Sequence, residues 1–262
     1  MRALVLSGGG AKGAFQAGVL RRLELCERKY DFIIGTSVGA VNGAGFAYHG
    51  ADALINFWSS IRARSDILRL QLTAPFQSGI YSMSPIRKML CKNLSGLPSI
   101  PYAVCVYDMR LGRIEYKDSR DYATERMLEW IEASAAIPGI MNIVGDRYAD
   151  GGIMEQVPVR EALRRGATSL TIISCSPLRR DPEAPWKTRF PRPLTNALRA
   201  ITSMEHDVFL HDLAACPKDA EVFAPETPVC DTLEFDPAKL ERGIHAGLGA
   251  LPVNVWEALE SC

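Results

Sequence analysis

The sequence predicts an α/β fold whose helices cover a largely parallel sheet. Three observations carry that reading. Apolar runs of strand length at Arg2–Leu6, Phe32–Ile34 and Ser169–Cys175 are separated by segments with helical spacing. The first two runs each enter a glycine-containing turn that opens a helix. Hydrophobic residues make up 47% and charged residues 23% of 262 residues, ordinary for a chain that buries a large core.

The elements follow in order. Ser7-Gly8-Gly9-Gly10-Ala11-Lys12-Gly13 succeeds the first strand, and Phe15, Val19, Leu23 and Cys26 then share one helical face. A glycine loop between strand and helix turns several backbone N–H groups toward one point, an anion-binding nest at a helix N-terminus. The nest suits a phosphate or the oxyanion of an acyl-transfer transition state. A Walker loop needs Lys and then Ser or Thr after its last glycine, whereas Ala14 follows Gly13. A dinucleotide fold fits Gly8-x-Gly10-x-x-Gly13 better. It expects an acid at the end of the second strand, and Asp31 precedes that strand. The oxyanion reading is preferred, and close helix packing is the plain structural alternative.

The second strand runs into Gly35-Thr36-Ser37-Val38-Gly39, with helical spacing after it. Strand, sharp turn and helix with Ser at the apex form a nucleophile elbow, in which Gly35 and Gly39 relieve crowding and Ser37 is presented near a helix N-terminus. A tight turn with glycines for packing is the bland alternative. The helix after Ser37 is rich in small residues, and Ala51–Ile61 reads as a further helix. Arg62–Met83 has no strong period and reads as an irregular connection or lid. Ser84 reads as a helix cap with Pro85 at the first helical position, and the helix runs to Asn93. Tyr102–Tyr107 and Arg113–Tyr116 form an expected hairpin around Leu111-Gly112.

Thr124–Ala136 reads as a helix stopped by Pro138-Gly139. Asp150-Gly151-Gly152 is first a turn signal. Pro158–Arg165 reads as a short helix. Pro177–Pro193 mixes five prolines with Arg179, Arg180, Lys187, Arg189, Arg192, Trp186 and Phe190, a composition for a solvated loop or a lipid-interface contact. Helices are expected at Leu194–Cys216 and Pro237–Leu251, with an edge strand at Ala220–Phe223. There is no repeat and no linker, so residues 1–262 are expected to form a single domain.

Composition narrows the function. Thirty acidic and thirty basic residues balance, which argues against a nucleic-acid partner. There is no apolar run of spanning length, and Ala3-Leu4-Val5-Leu6 is too short for a signal-peptide core. Seven scattered cysteines without a Cys-x-x-Cys pair read as free thiols in a reducing, cytoplasmic compartment. No metal-ligand or calcium-loop pattern is present, so neither metal nor cofactor is expected. A serine nucleophile needs a base. His49, His206, His211 and His245 lie in predicted helices, where packing explains them. Asp150, at a glycine-flanked turn after a strand, is better placed to take the Ser37 proton if burial raises its proton affinity.

Together, Gly8–Gly13, Gly35–Gly39 and Asp150-Gly151-Gly152 resemble, in order and spacing, the three signature boxes of the patatin-like phospholipases. Ala133-Ser134-Ala135-Ala136-Ile137-Pro138 is similar to that family's Ala-Ser-x-Ala-x-Pro segment. The resemblance covers about Leu4–Val159. It implies a three-layer α/β/α fold and hydrolysis of lipid acyl esters without a metal. It also implies a Ser37–Asp150 dyad, with an oxyanion hole from the loop Gly8, Gly9, Gly10, Ala11, Lys12 and Gly13. Lys12 stands where many relatives carry Arg, and Ser7 where plant members carry Asp. The expected substrate is a phospholipid or another acyl-ester lipid, with transient peripheral membrane contact. The competing readings are a Ser-His-Asp esterase or acyltransferase using His206, His211 or His245, and a non-catalytic phosphate- or nucleotide-binding module.

Overall fold

The computed structural model describes residues 1–71, 78–179 and 192–259, without the side chains of 192–202 and 258–259. In chain order the elements are β1 (Arg2–Leu6), α1 (Gly13–Leu25), β2 (Phe32–Thr36), α2 (Val38–Ser60), β3 (Arg69–Leu70) and β4 (Gly79–Ser82). There follow α3 (Ser84–Asn93), β5 (Tyr102–Asp108), β6 (Arg113–Asp118), α4 (Thr124–Ser134), β7 (Gly139–Met141) and β8 (Tyr148–Asp150). The last are α5 (Val159–Arg164), β9 (Ser169–Ile173), α6 (Arg192–Leu213), β10 (Glu221–Phe223), α7 (Pro237–Gly249) and α8 (Val255–Leu259).

The main sheet has the order β10-β9-β1-β2-β5-β6. Its strands from β10 through β5 are parallel, and β6 closes it as the antiparallel arm of the expected hairpin. Successive side chains of a strand face opposite ways. Leu4, Leu6, Ile33, Tyr102, Val104 and Val106 therefore meet residues of α1, α2, α4 and α7. Ala3, Val5, Phe32, Ile34 and Ala103 meet α5 and α6 on the other face. This is the three-layer α/β/α arrangement expected.

One register detail builds the site. On one edge of β5, β6 pairs along Ala103–Asp108. The other edge is shared by two strands arriving from opposite directions. β2 runs parallel and ends with Thr36 opposite Cys105, while β8 runs antiparallel and ends with Asp150 opposite Val106. The residues at those two strand ends are thereby brought face to face.

Several boundaries correct the sequence reading. Met83, not Ser84, precedes the α3 helix, and no side chain caps it. Ser84 is the first helical residue, and its N–H donates to Ser82 Oγ at 3.2 Å. Arg62–Met83 is not wholly irregular: β3 and β4 lie in it and join β7 in a three-stranded sheet. Their side chains do not alternate clearly, which hides short strands from periodicity. Residues 72–77 lie outside the described residues, as do 180–191, most of the basic-aromatic segment. The helix after the elbow and the one expected at Ala51–Ile61 are continuous except for non-helical angles at Gly50. The helix at α4 stops at Ser134, before the predicted Ala136. The short helix α8 carries no signal that sequence reading detected. Cys26, Cys91, Cys105, Cys175, Cys216 and Cys230 are unpaired thiols. Among the described residues no helix is long and apolar enough to cross a membrane.

Candidate active site

Ser37 sits at the tip of β2 with φ 56° and ψ −123°, a left-handed conformation that costs a non-glycine residue on the order of 1–3 kcal/mol. The crowding around it explains its glycines. A Cβ on Gly35 would lie 2.3 Å from the Gly39 carbonyl oxygen, and one on Gly39 would lie 2.3 Å from that of Leu6. The turn is pinned from outside: the Ser37 N–H donates to Ser134 Oγ at 3.0 Å, and the Ser134 hydroxyl donates to the Cys105 carbonyl at 2.6 Å. α2 starts at Val38, so its positive end lies beside Ser37.

Asp150 ends β8. Its own N–H donates to the Ala136 carbonyl at 2.9 Å. Thus the Ala133–Ala136 segment holds both strand ends, Ser134 gripping the serine turn and Ala136 the aspartate. Upstream, Arg147 Nε donates to Asp108 Oδ2 at 2.8 Å and fastens the entry of β8 to the end of β5. Each oxygen of the Asp150 carboxylate accepts one hydrogen bond: Ser37 Oγ donates to Oδ2 at 2.7 Å, and the Gly152 N–H donates to Oδ1 at 2.7 Å. Ser37 is 7% and Asp150 4% exposed. Burial pushes the Asp150 carboxyl up to about 7, against the lowering effect of the Ser37 and Gly152 hydrogen bonds, and Glu205 of α6 adds to the rise.

The glycine loop faces this pair from the end of β1. Its N–H groups divide sharply. Gly8 donates to the Gln156 carbonyl at 3.0 Å, Ala11 to that of Thr232 at 2.8 Å, and Lys12 to that of Gly9 at 3.3 Å. Gly13 donates back into the turn of Gly10–Lys12. Gly9 and Gly10 have no backbone N–H bond among the described residues. The Lys12 ammonium donates to Ser176 Oγ at 3.0 Å. Beneath the loop runs a buried polar chain. Trp58 Nε1 donates to Asn42 Oδ1, Asn42 Nδ2 to Gln16 Oε1 and the Gly13 carbonyl, and Gln16 Nε2 to the Ser7 and Ile173 carbonyls. Every polar group in that chain has a partner, so it braces the loop without an orphaned atom.

The histidines lie elsewhere. His49 and His245 are exposed, His206 stacks on Phe209, and His211 lies beside Arg160. The Ser37 hydroxyl has Asp150 as its hydrogen-bond partner. Sequence reading did not single out Ser134, Gln156 or Asp212 for a role. Ser134 stands inside a segment quoted for its resemblance, but a buried serine gives no signal until its partners are known. Gln156 and Asp212 are ordinary polar residues in the sequence. Among the described residues no group of three or more His, Cys, Asp and Glu side chains could hold a metal ion.

An elbow serine bonded to a buried carboxylate, beside a glycine nest at the ends of parallel strands, defines a class of α/β proteins. Residues 4–163 match the family model described as patatin-like phospholipase, and the chain belongs to that family. The protein YjjU of Escherichia coli (strain K12) is 30% identical over 191 residues, which is 67% of this chain and 52% of YjjU. The patatin-like phospholipase domain-containing protein 7 of Rattus norvegicus is 28% identical over 183 residues, 63% of this chain but 13% of that protein. The chain thus spans about half of the first relative and a small part of the second. The crystal structure of VipD from Legionella pneumophila shares the fold, with a TM-score of 0.51 at 14% identity over 99% of this chain and 67% of that one.

Proposed function

We propose that the protein is a lipid acyl hydrolase of the phospholipase A or lysophospholipase type, working through an acyl-Ser37 intermediate with Asp150 as general base. The observation that carries the proposal is the 2.7 Å hydrogen bond from Ser37 Oγ to the buried Asp150 carboxylate. In this reading Ser37 Oγ attacks the acyl carbonyl carbon while its proton passes to Asp150 Oδ2. The carbonyl oxygen gains negative charge and is held by the N–H groups of Gly9 and Gly10. These are favoured over the rest of Gly8–Gly13, whose N–H groups bond within the protein. Collapse expels the alcohol, which takes the proton from Asp150. Asp150 then draws a proton from water as that water attacks acyl-Ser37, and collapse returns the proton from Asp150 to Ser37 Oγ as the fatty acid leaves.

The acyl chain is assigned to an apolar seam next to the elbow, lined by Val41, Met83, Ile86, Leu90, Ile131 and Ala135. Val41 is one helical turn from Ser37, and Ala135 adjoins the Ser134 that holds the Ser37 N–H. The seam is narrow, about 10 Å³, room for one water at most. Its outer wall α3 has no fully buried residue and is tied to α4 by Arg87 Nη1 to Glu132 at 2.6 Å. Outward tilt of α3 would admit the chain. Free thiols support a cytoplasmic location, and the basic and aromatic residues of Pro177–Pro193 in the sequence support transient contact at lipid surfaces.

The test uses phospholipids, lysophospholipids and neutral glycerides with released fatty acid measured, alongside a phosphonate active-site probe. Fatty acid release and labelling that disappears in Ser37→Ala are expected. Persistent labelling of that variant would place the nucleophile elsewhere. Nucleotide-induced stabilisation without any acyl release would favour the binding-module reading.

A further inference from the structure

The glycine loop and the Asp150 turn come from different strands, yet one residue joins them. The Gly8 N–H donates to the Gln156 carbonyl at 3.0 Å. The Gln156 side-chain Nε2 donates to the Gly152 carbonyl at 3.0 Å. Gln156 therefore holds the loop by its main chain and the aspartate turn by its side chain. The fit is close on the loop side: a Cβ on Gly8 would lie 2.4 Å from Gln156 Oε1.

Gln156 is itself held from α6. Its N–H and that of Val157 both donate to Asp212 Oδ2, at 2.7 and 2.9 Å. The Asp212 side chain is 3% exposed, and its other oxygen lies 3.5 Å from Arg160 Nη1. One buried carboxylate oxygen accepting two consecutive main-chain N–H groups fixes a peptide segment far more tightly than a surface contact does. Asp212 lies in the C-terminal third, beyond residues 4–163 that match the family model.

We infer that Asp212 is a positioning residue for the whole site, acting through Gln156 to set the glycine loop against the Ser37–Asp150 pair. The reading rests on the proposed hydrolase function. Catalytic rate depends on sub-ångström placement of donors and base, and a misplacement of about 1 Å costs roughly a hundredfold. Loosening Gln156 should thus lower turnover without weakening lipid binding.

The experiment compares wild type, Asp212→Ala, Asp212→Asn and Gln156→Leu. Active sites are counted by phosphonate labelling, and kcat and KM for one ester are measured per labelled site. Asp212→Ala should lose roughly ten- to a hundredfold in kcat per labelled site, with KM nearly unchanged. Asp212→Asn keeps an oxygen that accepts both N–H groups and should recover most of the loss. A purely structural role would reduce the number of labelled sites but leave kcat per site at the wild-type value, and that result overturns the inference. If Asp212→Ala does not fold, Gln156→Leu decides: it removes the side-chain bridge alone, and wild-type kcat in it likewise overturns the inference. Should the wild-type chain neither label nor hydrolyse esters, the hydrolase reading falls on its own. Amide hydrogen exchange then decides the positioning role, since residues 6–13 and 148–155 should exchange faster in Asp212→Ala, and unchanged exchange refutes it.

Discussion

At the residue scale the proposed chemistry turns on the protonation state of Asp150. A general base must be ionised, and burial holds this carboxyl at about 7. kcat/KM should therefore rise as pH increases through about 7 and level off above it, several pH units above an ordinary aspartate limb. A profile flat from pH 5 to 8 would show that Asp150, if it is the base, is not held near 7. Asp150→Asn preserves the shape: its amide oxygen accepts from Gly152, and its amide nitrogen donates to Ser37 Oγ. It should lose on the order of 10²–10⁴ in rate, while His206→Gln, His211→Gln and His245→Gln keep most of theirs. Stability runs the other way. Because the folded pKa is raised, the folded chain holds a proton that the unfolded chain releases between about 4 and 7. The contribution of Asp150 is fully present below that window and lost as pH rises through it. Asp150→Asn should raise the melting temperature more at pH 8 than at pH 5, read by circular dichroism.

At the scale of elements, α2 does two jobs. Its first turn carries the elbow, and its Asn42 links Trp58, Gln16 and the Gly13 carbonyl under the glycine loop. Asn42→Ala orphans those buried groups, at about 1–3 kcal/mol for each unsatisfied group. The melting temperature should fall by several degrees, at roughly 2–4 °C per kcal/mol in a large domain. An unchanged melting temperature would mean that the chain is dispensable. The helix α3 forms the outer wall of the proposed acyl seam, with Ile86 facing Val41 and Ile131 across it. Ile86→Trp should lower hydrolysis of long-chain esters relative to a butyrate ester on the order of tenfold. Parallel loss on both esters would mean that the seam does not take the chain.

At the scale of the molecule, the C-terminal third is built into the centre of the fold. β9 pairs with β1 along Arg2–Leu6, and α7 packs along α1, so close that a Cβ on Gly18 would lie 2.1 Å from the Ile244 carbonyl oxygen. Thr232, Ser176 and Asp212 all bond to the glycine loop or its support. A chain ending at Leu163 would expose the inner edge of β1 and strip α6 from the face of Ala3, Val5, Phe32 and Ile34. It should show no cooperative thermal transition by circular dichroism. A sharp transition in that shortened chain would prove the last third to be an independent addition.

Sequence by itself determined the fold class, the elbow, the glycine loop and the aspartate turn. These depend on local rules: the period of apolar residues, the steric needs of a sharp turn and the glycines that relieve them. Ser37 and Asp150 could be proposed because their turns are written in consecutive residues and their order and spacing resemble a known family. The remaining features depend on which chain segments meet, and that is decided only when the sheet forms. The convergence of β2 and β8 on one edge of β5 brings residues 113 positions apart to 2.7 Å. The division of the glycine loop into bonded and unbonded N–H groups depends on carbonyls from Gln156 and Thr232. The strands β3 and β4 escaped periodicity because they are short and partly exposed. Ser134, Gln156 and Asp212 acquire their importance from burial and from hydrogen-bond partners distant in sequence. Tertiary packing alone raises the proton affinity of Asp150, since desolvation depends on everything that surrounds the carboxylate.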